Sequence, residues 1–369
     1  MRGRTLTTVR TRRGYAAGLC TLLLLSACSS IPKPATSDPR TPTATAAPTA
    51  TPTVTPIPVI PAPVCPLPGE PAALPALPPG VPFTGHLLIS ESSYKSRILE
   101  INPSGMVTWT MLTTAPPLAH PLGPPDDAFY SLDCRAIIAN SEEGQGVLAV
   151  DRLSHALLWQ IGTYLRRGSS LRLFNNPDDA VPAPDGTVWL ADINNCRLLH
   201  LSGSKGSVLG VLGGHGCRHN PPYQYSEPNG AFPARDGSLV VTEISGSWVT
   251  WLNPNGTVRW SHRVPAAYPS DAMALPDGSV LLTDYSYYGQ VLRVAANGTL
   301  LWRYAPRGVG QLNHPSIAIP LAANRVAICD DFGDRIFIVD PTTSRIVWEW
   351  RGNLAYSLLR PDGLDYRPS

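Results

Sequence analysis

Short runs of apolar residues alternate with turn-forming residues from about position 83 to the C-terminus. The clearest stretch is residues 269–306, PSDAMALPDGSVLLTDYSYYGQVLRVAANGTLLWRYAP. Its Asp277-Gly278 and Asn297-Gly298 pairs are typical of hairpins, because type I′ turns need positive φ at both central residues. The stretch therefore predicts four short antiparallel strands. Such a small sheet must pack against others, since it cannot bury both of its own faces.

The same unit recurs along the chain. In four copies a proline opens the unit and an acidic residue closes its second strand 15 positions later: Pro177 and Asp192, Pro228 and Glu243, Pro269 and Asp284, Pro315 and Asp330. With two more divergent copies, the spacing predicts six units. The first lacks its opening strand, and residues 361–366 resemble an opening strand with no unit after it. We therefore predict an all-β fold, a six-bladed β-propeller whose ring is closed by the C-terminal strand. A linear β-solenoid is the alternative.

The N-terminal region predicts export. Residues 1–27 combine a basic start with a short apolar segment, and LSAC at positions 25–28 resembles a bacterial lipobox, which implies lipidation of Cys28. An ordinary secretory signal is the alternative. Residues 28–80, rich in Pro, Thr and Ala, predict an extended disordered tether, and residues 81–369 the propeller. We expect an extracytoplasmic protein of the bacterial envelope, anchored to a membrane by its lipid.

The net charge and the cysteine content limit the binding partners and the disulfides to be expected. The net charge is +2 and no basic run follows the signal, so nucleic acid is not expected. In an oxidising compartment, Cys196 and Cys217 are predicted to form a disulfide, because their loops open on the same face. The pairing of Cys65, Cys134 and Cys329 stays open, with Cys329 expected as a small buried residue. A monomeric propeller is expected.

Acidic residues are expected around the mouth of the central channel. The first strand of each blade starts, and the second ends, at this face. The proposed binding residues there are Asp179, Asp192, Glu243, Asp271, Asp284, Asp330 and Tyr285. Such a ring could bind a cation, a glycan, a small molecule or another envelope protein. The alternative is that each acid braces its own blade through its loop or a nearby arginine.

Histidines on the inter-blade loops suggest a second hypothesis. His120, His215, His219 and His314 are candidate ligands of a divalent metal ion, and His215, Arg218, His219 and His314 are candidate catalytic residues. Their spacing matches no compact metal signature, so ordinary structural histidines are the alternative.

Two segments suggest a family. Residues 185–199, DGTVWLADINNCRLL, and residues 329–340, CDDFGDRIFIVD, resemble NHL repeats, and the tryptophan of the fourth strand resembles that of pyrroloquinoline-quinone-type propellers. These families include scaffolds, ligand binders, a zinc-dependent lyase and sulfotransferases. The resemblance implies a ligand- or protein-binding module, with a metal-assisted lyase, a hydrolase or an arylsulfotransferase-like enzyme as the alternative. A structural envelope protein is the third hypothesis.

Overall fold

The computed structural model describes residues 65–70, 77–78 and 80–368. The predicted signal peptide, Cys28 and most of the predicted tether lie outside these residues. In the described part, the regular structure consists of β-strands and two 3₁₀ turns, Ile193–Asn195 and Asp331–Gly333. No helix there is long and apolar enough to cross a membrane.

The strands form six antiparallel sheets of four. The first three blades contain β1 (His86–Glu91), β2 (Arg97–Ile101) and β3 (Val107–Leu112); β4 (Ala128–Tyr130), β5 (Ala136–Ser141), β6 (Gly146–Asp151) and β7 (Leu157–Gly162); and β8 (Pro177–Pro182), β9 (Thr187–Asp192), β10 (Arg197–Ser202) and β11 (Val208–Gly213). Blades 4 and 5 contain β12 (Pro228–Pro233), β13 (Leu239–Glu243), β14 (Trp248–Leu252) and β15 (Val258–Arg263); then β16 (Pro269–Ala274), β17 (Val280–Asp284), β18 (Gln290–Val294) and β19 (Leu300–Tyr304). Blade 6 contains β20 (Pro315–Leu321), β21 (Arg325–Asp330), β22 (Arg335–Asp340) and β23 (Arg345–Trp350), and the chain ends with β24 (Pro361–Arg367).

The ring closes as the sequence predicted. Strand β24 pairs antiparallel with β1, with Leu364 opposite Ile89, and so becomes the innermost strand of blade 1. The first strands of successive blades contact each other around the whole ring, from β4 through β8, β12, β16 and β20 to β24. The six-bladed β-propeller is confirmed, and closure removes the free sheet edges that an open array would expose.

Tryptophans of the outermost strands join neighbouring blades. In four blades an indole N–H donates to a backbone carbonyl of the next blade: Trp109 to Arg152, Trp159 to Gly203, Trp302 to Pro341 and Trp350 to Gly105. In blade 6 the donor is Trp350, whereas Trp348 packs edge-on against Phe83. An indole that is buried or half-buried needs a partner for its N–H, and the neighbouring blade supplies a carbonyl.

Residues Cys65–Glu70, here called the N-terminal strap, pack on the propeller face opposite the mouth. Cys65 forms a disulfide with Cys134 in blade 2, Gly69 lies against Ala274 in blade 5, and Glu70 pairs with Arg235 in blade 4. Blades 2 and 5 are opposite each other in a ring of six, so the strap crosses that end of the channel. The sequence placed these residues in the tether; the structure packs them on the propeller, because the disulfide and the buried Leu67 hold them there.

Candidate functional site

The site is built from the two residues that follow the opening proline of each blade. In five blades the opening proline pairs with the acid that ends the neighbouring strand, for example Pro177 with Asp192, and in blade 2 the Asp126 N–H donates to the Asn140 carbonyl, so these residues all lie at one end of the channel. The first position forms an upper ring of Asp362, Asp126, Asp178, Asn229, Ser270 and Ser316. The second position forms a lower ring, deeper in the channel, of Gly363, Asp127, Asp179, Gly230, Asp271 and Ile317.

These rings enclose the mouth cavity, a small polar space on the propeller axis. Its volume is about 60 Å³, and it is lined by Asp126, Asp127, Glu142, Asp178, Asn229, Tyr268, Ser270, Asp271, Tyr285, Ser316 and Asp362. None of these lining residues is basic. The cavity therefore concentrates negative charge at low dielectric and favours a positively charged occupant.

Three lower-ring aspartates converge at the floor of this cavity, and two of them, Asp127 and Asp271, line it. Asp127, Asp179 and Asp271 are 4%, 0% and 3% exposed, and one oxygen of each lies within 4.8 Å of the others. Both carboxylate oxygens of Asp179 lack a hydrogen-bond partner, as do Asp127 Oδ1 and Asp271 Oδ2. A buried carboxylate without a partner is costly, so this arrangement requires either protons or a cation.

The pKa values of the cluster reflect this crowding. Burial and the nearby carboxylate of Asp178 raise the pKa of Asp126 well above the ordinary range. Burial and the carboxylate of Asp271 do the same to the pKa of Asp179. Burial raises the pKa of Asp271 to about 7, although the Ser270 hydroxyl, which donates to Asp271 Oδ1 at 3.4 Å, opposes the shift. Burial also raises the pKa of Glu142, at the cavity rim, to about 7. Near neutral pH these carboxyl groups hold protons in competition with one another, unless a bound cation takes the place of those protons.

The backbone at Asp179 is adapted to this position. Asp179 has φ of 49°, in the left-handed region that few non-glycine residues adopt, and a bulge separates Asp178 from Val181. A Cβ on Gly230 would lie 3.0 Å from Asp179 Oδ2. A glycine in blade 4 therefore leaves room for this carboxylate at the axis.

The acids that end the second strands point away from the channel. Asp192 accepts hydrogen bonds from Arg197 Nε at 2.7 Å and from the backbone N–H of Asn175 at 2.7 Å. Asp330 is held in the same way by Arg335 Nε at 2.7 Å and the N–H of Asn313 at 2.6 Å. Burial raises the pKa of Asp192, and these donors partly offset the shift.

Glu243 and Asp284 brace their blades too. Glu243 accepts from the Ser226 N–H at 2.6 Å, and Asp284 from the N–H groups of Ala267 and Tyr268 at 3.0 and 2.9 Å. Of the acidic residues predicted to bind, Asp179 and Asp271 lie at the axis, whereas Asp192, Glu243, Asp284 and Asp330 hold loops. These four acids have the contacts expected from the alternative interpretation, in which each acid holds a loop of its own blade.

The candidate histidines are not brought together. His219 Nδ1 lies 2.8 Å from Glu243 Oε1, and its ring stacks on Trp248 at 3.8 Å between centroids. His314 packs against Tyr285 and Phe332. His120 contacts Gln160. Within the described residues, the groups of three side chains placed to hold a metal ion consist of aspartates alone.

The remaining predicted residues surround these features. Tyr285 lines the cavity and donates its hydroxyl to Asp331, which also pairs with Arg360 at 2.7 Å. Arg218 and His215 lie in the loop between blades 3 and 4, where a disulfide joins Cys196 to Cys217, the pair predicted from the sequence. Cys329 is a buried free thiol.

Sequence reasoning named several axial residues but missed others. Asp362 could have been found, because Pro361-Asp362 repeats the opening pattern of the other blades. Glu142 follows the second strand of blade 2 outside the repeat, so no periodic signal marks it. Ser316 aligns with Ser270, but nothing in its identity suggests a site.

Comparison with known proteins agrees with this fold. Residues 182–353 match the family model described as outer membrane protein assembly factor BamB, with PQQ-like repeats. A search of curated proteins found no match. Similar solved structures include a protein of unknown function from Bacteroides caccae, at 16% identity and a TM-score of 0.56, covering 76% of this chain and 98% of that one.

Two further structures have the same architecture. A nidogen/laminin complex matches at 12% identity and a TM-score of 0.51, covering 76% of this chain and 97% of the other. A catalytically inactive virginiamycin B lyase from Staphylococcus aureus with quinupristin matches at 14% identity and a TM-score of 0.50, covering 73% of this chain and 85% of the other. At these identities the likeness shows the fold alone. The chain is a six-bladed β-propeller, and residues 182–353 are similar to PQQ-like repeats.

Proposed function

We propose that this protein is a lipid-anchored β-propeller of the bacterial cell envelope that binds a positively charged group at its channel mouth. The observation that carries the proposal is the mouth cavity, lined by carboxylates and by no basic side chain. Its volume of about 60 Å³ suits an ammonium group or a metal ion rather than a whole organic ligand. The ligand is therefore a partner that inserts one charged group while the rest contacts the rim.

The rim offers suitable surroundings for such a partner. Tyr223, Tyr287 and Tyr288 are exposed on loops of the mouth face, with 73%, 58% and 53% of their surface accessible. Flat aromatic rings with a polar tip are common in binding surfaces. The match to a family named for an assembly factor favours a protein partner among the ligand classes expected from the sequence.

Anchoring is proposed from the LSAC motif at residues 25–28 and the Pro/Thr/Ala-rich segment after it. Because the strap packs on the face opposite the mouth, a chain attached through residue 28 leaves the mouth face free for a partner. The test compares the full-length protein with Cys28→Ala in detergent phase partition. We expect the wild type in the detergent phase and the variant in the aqueous phase; identical partition would contradict the anchor.

Binding at the mouth is tested with a fluorescent peptide that carries a single lysine between uncharged residues. A peptide with norleucine in place of lysine is the matched control, since it keeps the aliphatic chain and removes the charge. We expect the lysine peptide to bind the full-length protein, and Asp178→Asn/Asp362→Asn to weaken binding by about tenfold or more. Equal affinity for both peptides would refute a charge-selective mouth.

The enzyme alternative is not proposed, because no specific observation favours it. His219 is engaged with Glu243 and Trp248, and His314 packs in a different inter-blade loop. A transition-metal site needs several ligands directed at one point, and these histidines do not converge.

A further inference from the structure

The lower ring has the donor chemistry of a cation site. Asp127, Asp179 and Asp271 come from blades 2, 3 and 5, so the ring closure itself brings them together at the axis. We propose that these three carboxylates bind one divalent cation, and that calcium is the ion they fit best. This inference rests on the proposed function in using the same cavity, but it concerns a resident ion beneath the mouth rather than the partner.

The unpartnered oxygens separate this cluster from an ordinary acidic patch. Asp179 is fully buried, yet neither of its carboxylate oxygens receives a hydrogen bond, and Asp127 Oδ1 and Asp271 Oδ2 are also unpartnered. Elsewhere in the same propeller, buried acids such as Asp192 are satisfied by an arginine and a backbone N–H. The fold therefore satisfies the bracing acids and leaves the axial ones available to a ligand.

The donor set selects the class of ion. Carboxylate oxygens suit hard cations, whereas zinc and copper favour imidazole and thiolate. Calcium accepts six to eight oxygens in flexible geometry, while magnesium demands a near-octahedral shell and retains several waters. Three carboxylates can supply up to about six oxygens, and the unpartnered Oδ1 of the buried Asn229 lies in the ring above. Calcium is the ion that this crowded, all-oxygen arrangement favours.

An entry path exists. Asp127 and Asp271 both line the mouth cavity, so an ion that enters there reaches Asp179 below them. The upper-ring carboxylates Asp126, Asp178 and Asp362 line the same route and attract a cation toward it. With one divalent ion bound to the lower ring, the upper-ring carboxylates remain available to contact a partner.

The test is a calorimetric titration of the chelator-treated full-length protein with calcium chloride and, separately, magnesium chloride. We expect one calcium ion per chain, weaker magnesium binding, and a melting temperature about 5 °C higher when calcium is present at about 100 times its Kd. No heat and no thermal shift with either ion would overturn the proposal. Equal affinity for the two ions would overturn the assignment to calcium.

Variants locate the ion. Asp179→Asn should weaken calcium binding by tenfold or more, and asparagine tolerates the left-handed backbone at this position. Asp271→Asn, whose backbone is unstrained, provides a second variant if Asp179→Asn does not fold. The matched control is Asp365→Asn, a buried aspartate of β24 that accepts the Tyr130 N–H at 2.8 Å, which should bind calcium like the wild type.

The outcome of this titration is independent of the partner. Calcium binding that persists when the lysine peptide fails to bind would retain the ion site and reject the charge-selective mouth. Peptide binding without calcium binding would retain the charge-selective mouth and reject the ion site. Unchanged calcium affinity in both Asp179→Asn and Asp271→Asn would place the ion elsewhere and refute the assignment.

Discussion

Removing Arg197 tests whether the acids that end the second strands support the fold rather than a ligand. Arg197 is 6% exposed and pairs with the fully buried Asp192. Its other nitrogens donate to the backbone carbonyls of Ser169, Ser170 and Leu173, in the connection from blade 2 to blade 3, at 2.7–3.0 Å. Arg197→Ala would leave Asp192 without its cation and remove the donors of three carbonyls.

The expected cost follows from this burial. Breaking a buried pair by removing one partner typically costs about 3–5 kcal/mol, because the remaining charge stays uncompensated. Asp192 keeps hydrogen bonds from Asn195 Nδ2 at 2.8 Å and from the Asn175 N–H, so we expect the lower end, about 3 kcal/mol. The exposed pair of Arg259 and Asp236 provides the comparison, and Arg259→Ala should cost about 0–1 kcal/mol.

Urea unfolding measures both variants. Arg197→Ala should shift the midpoint strongly while the slope of the transition stays constant, and calcium affinity should be unchanged because Arg197 does not reach the cavity. The double variant Asp192→Asn/Arg197→Ala should recover part of the loss, since the unpaired charge is gone. A cost below about 1 kcal/mol for Arg197→Ala, similar to that of an exposed pair, would refute the bracing role.

Three further predictions concern the ring, the strap and pH. Leu364→Ala, at a fully buried position of strand β24, should lower the free energy of unfolding by about 2–5 kcal/mol, whereas the exposed Leu301→Ala should have little effect. Reducing the Cys65–Cys134 disulfide, whose cysteines are 69 residues apart, should cost up to about 4 kcal/mol in chemical denaturation and release the strap to proteolysis. In chelator, the melting temperature should fall as pH rises from about 5 to 8. The folded state holds more protons there, because the pKa values of Asp271 and Asp365 are raised to about 7; Asp271→Asn should flatten this fall, and a rising curve would contradict it.

The repeat made the fold predictable. The 15-residue spacing from proline to acid is a direct record of strand pairing, since Pro177 and Asp192 are register partners in the sheet. The match of residues 361–366 to an opening strand predicted the closure of the ring for the same reason. Each of these signals is local and periodic, so it can be read without knowing the three-dimensional arrangement.

The site was only partly predictable. Recurring positions of the repeat put Asp179 and Asp192 on the same face, but the directions of their side chains depend on a bulge after Asp178 and on the position of Arg197. The strap was missed because its residues have the composition of a tether, and only the disulfide to Cys134 and the burial of Leu67 fix it. Such contacts join distant segments and leave no periodic trace.

The most direct test of the account is a crystal structure of the protein grown in calcium. We expect one ion on the propeller axis, coordinated by oxygens of Asp127, Asp179 and Asp271 at the distances usual for calcium, about 2.3–2.6 Å. An axis occupied only by water, with calcium absent or bound at surface carboxylates, would contradict it.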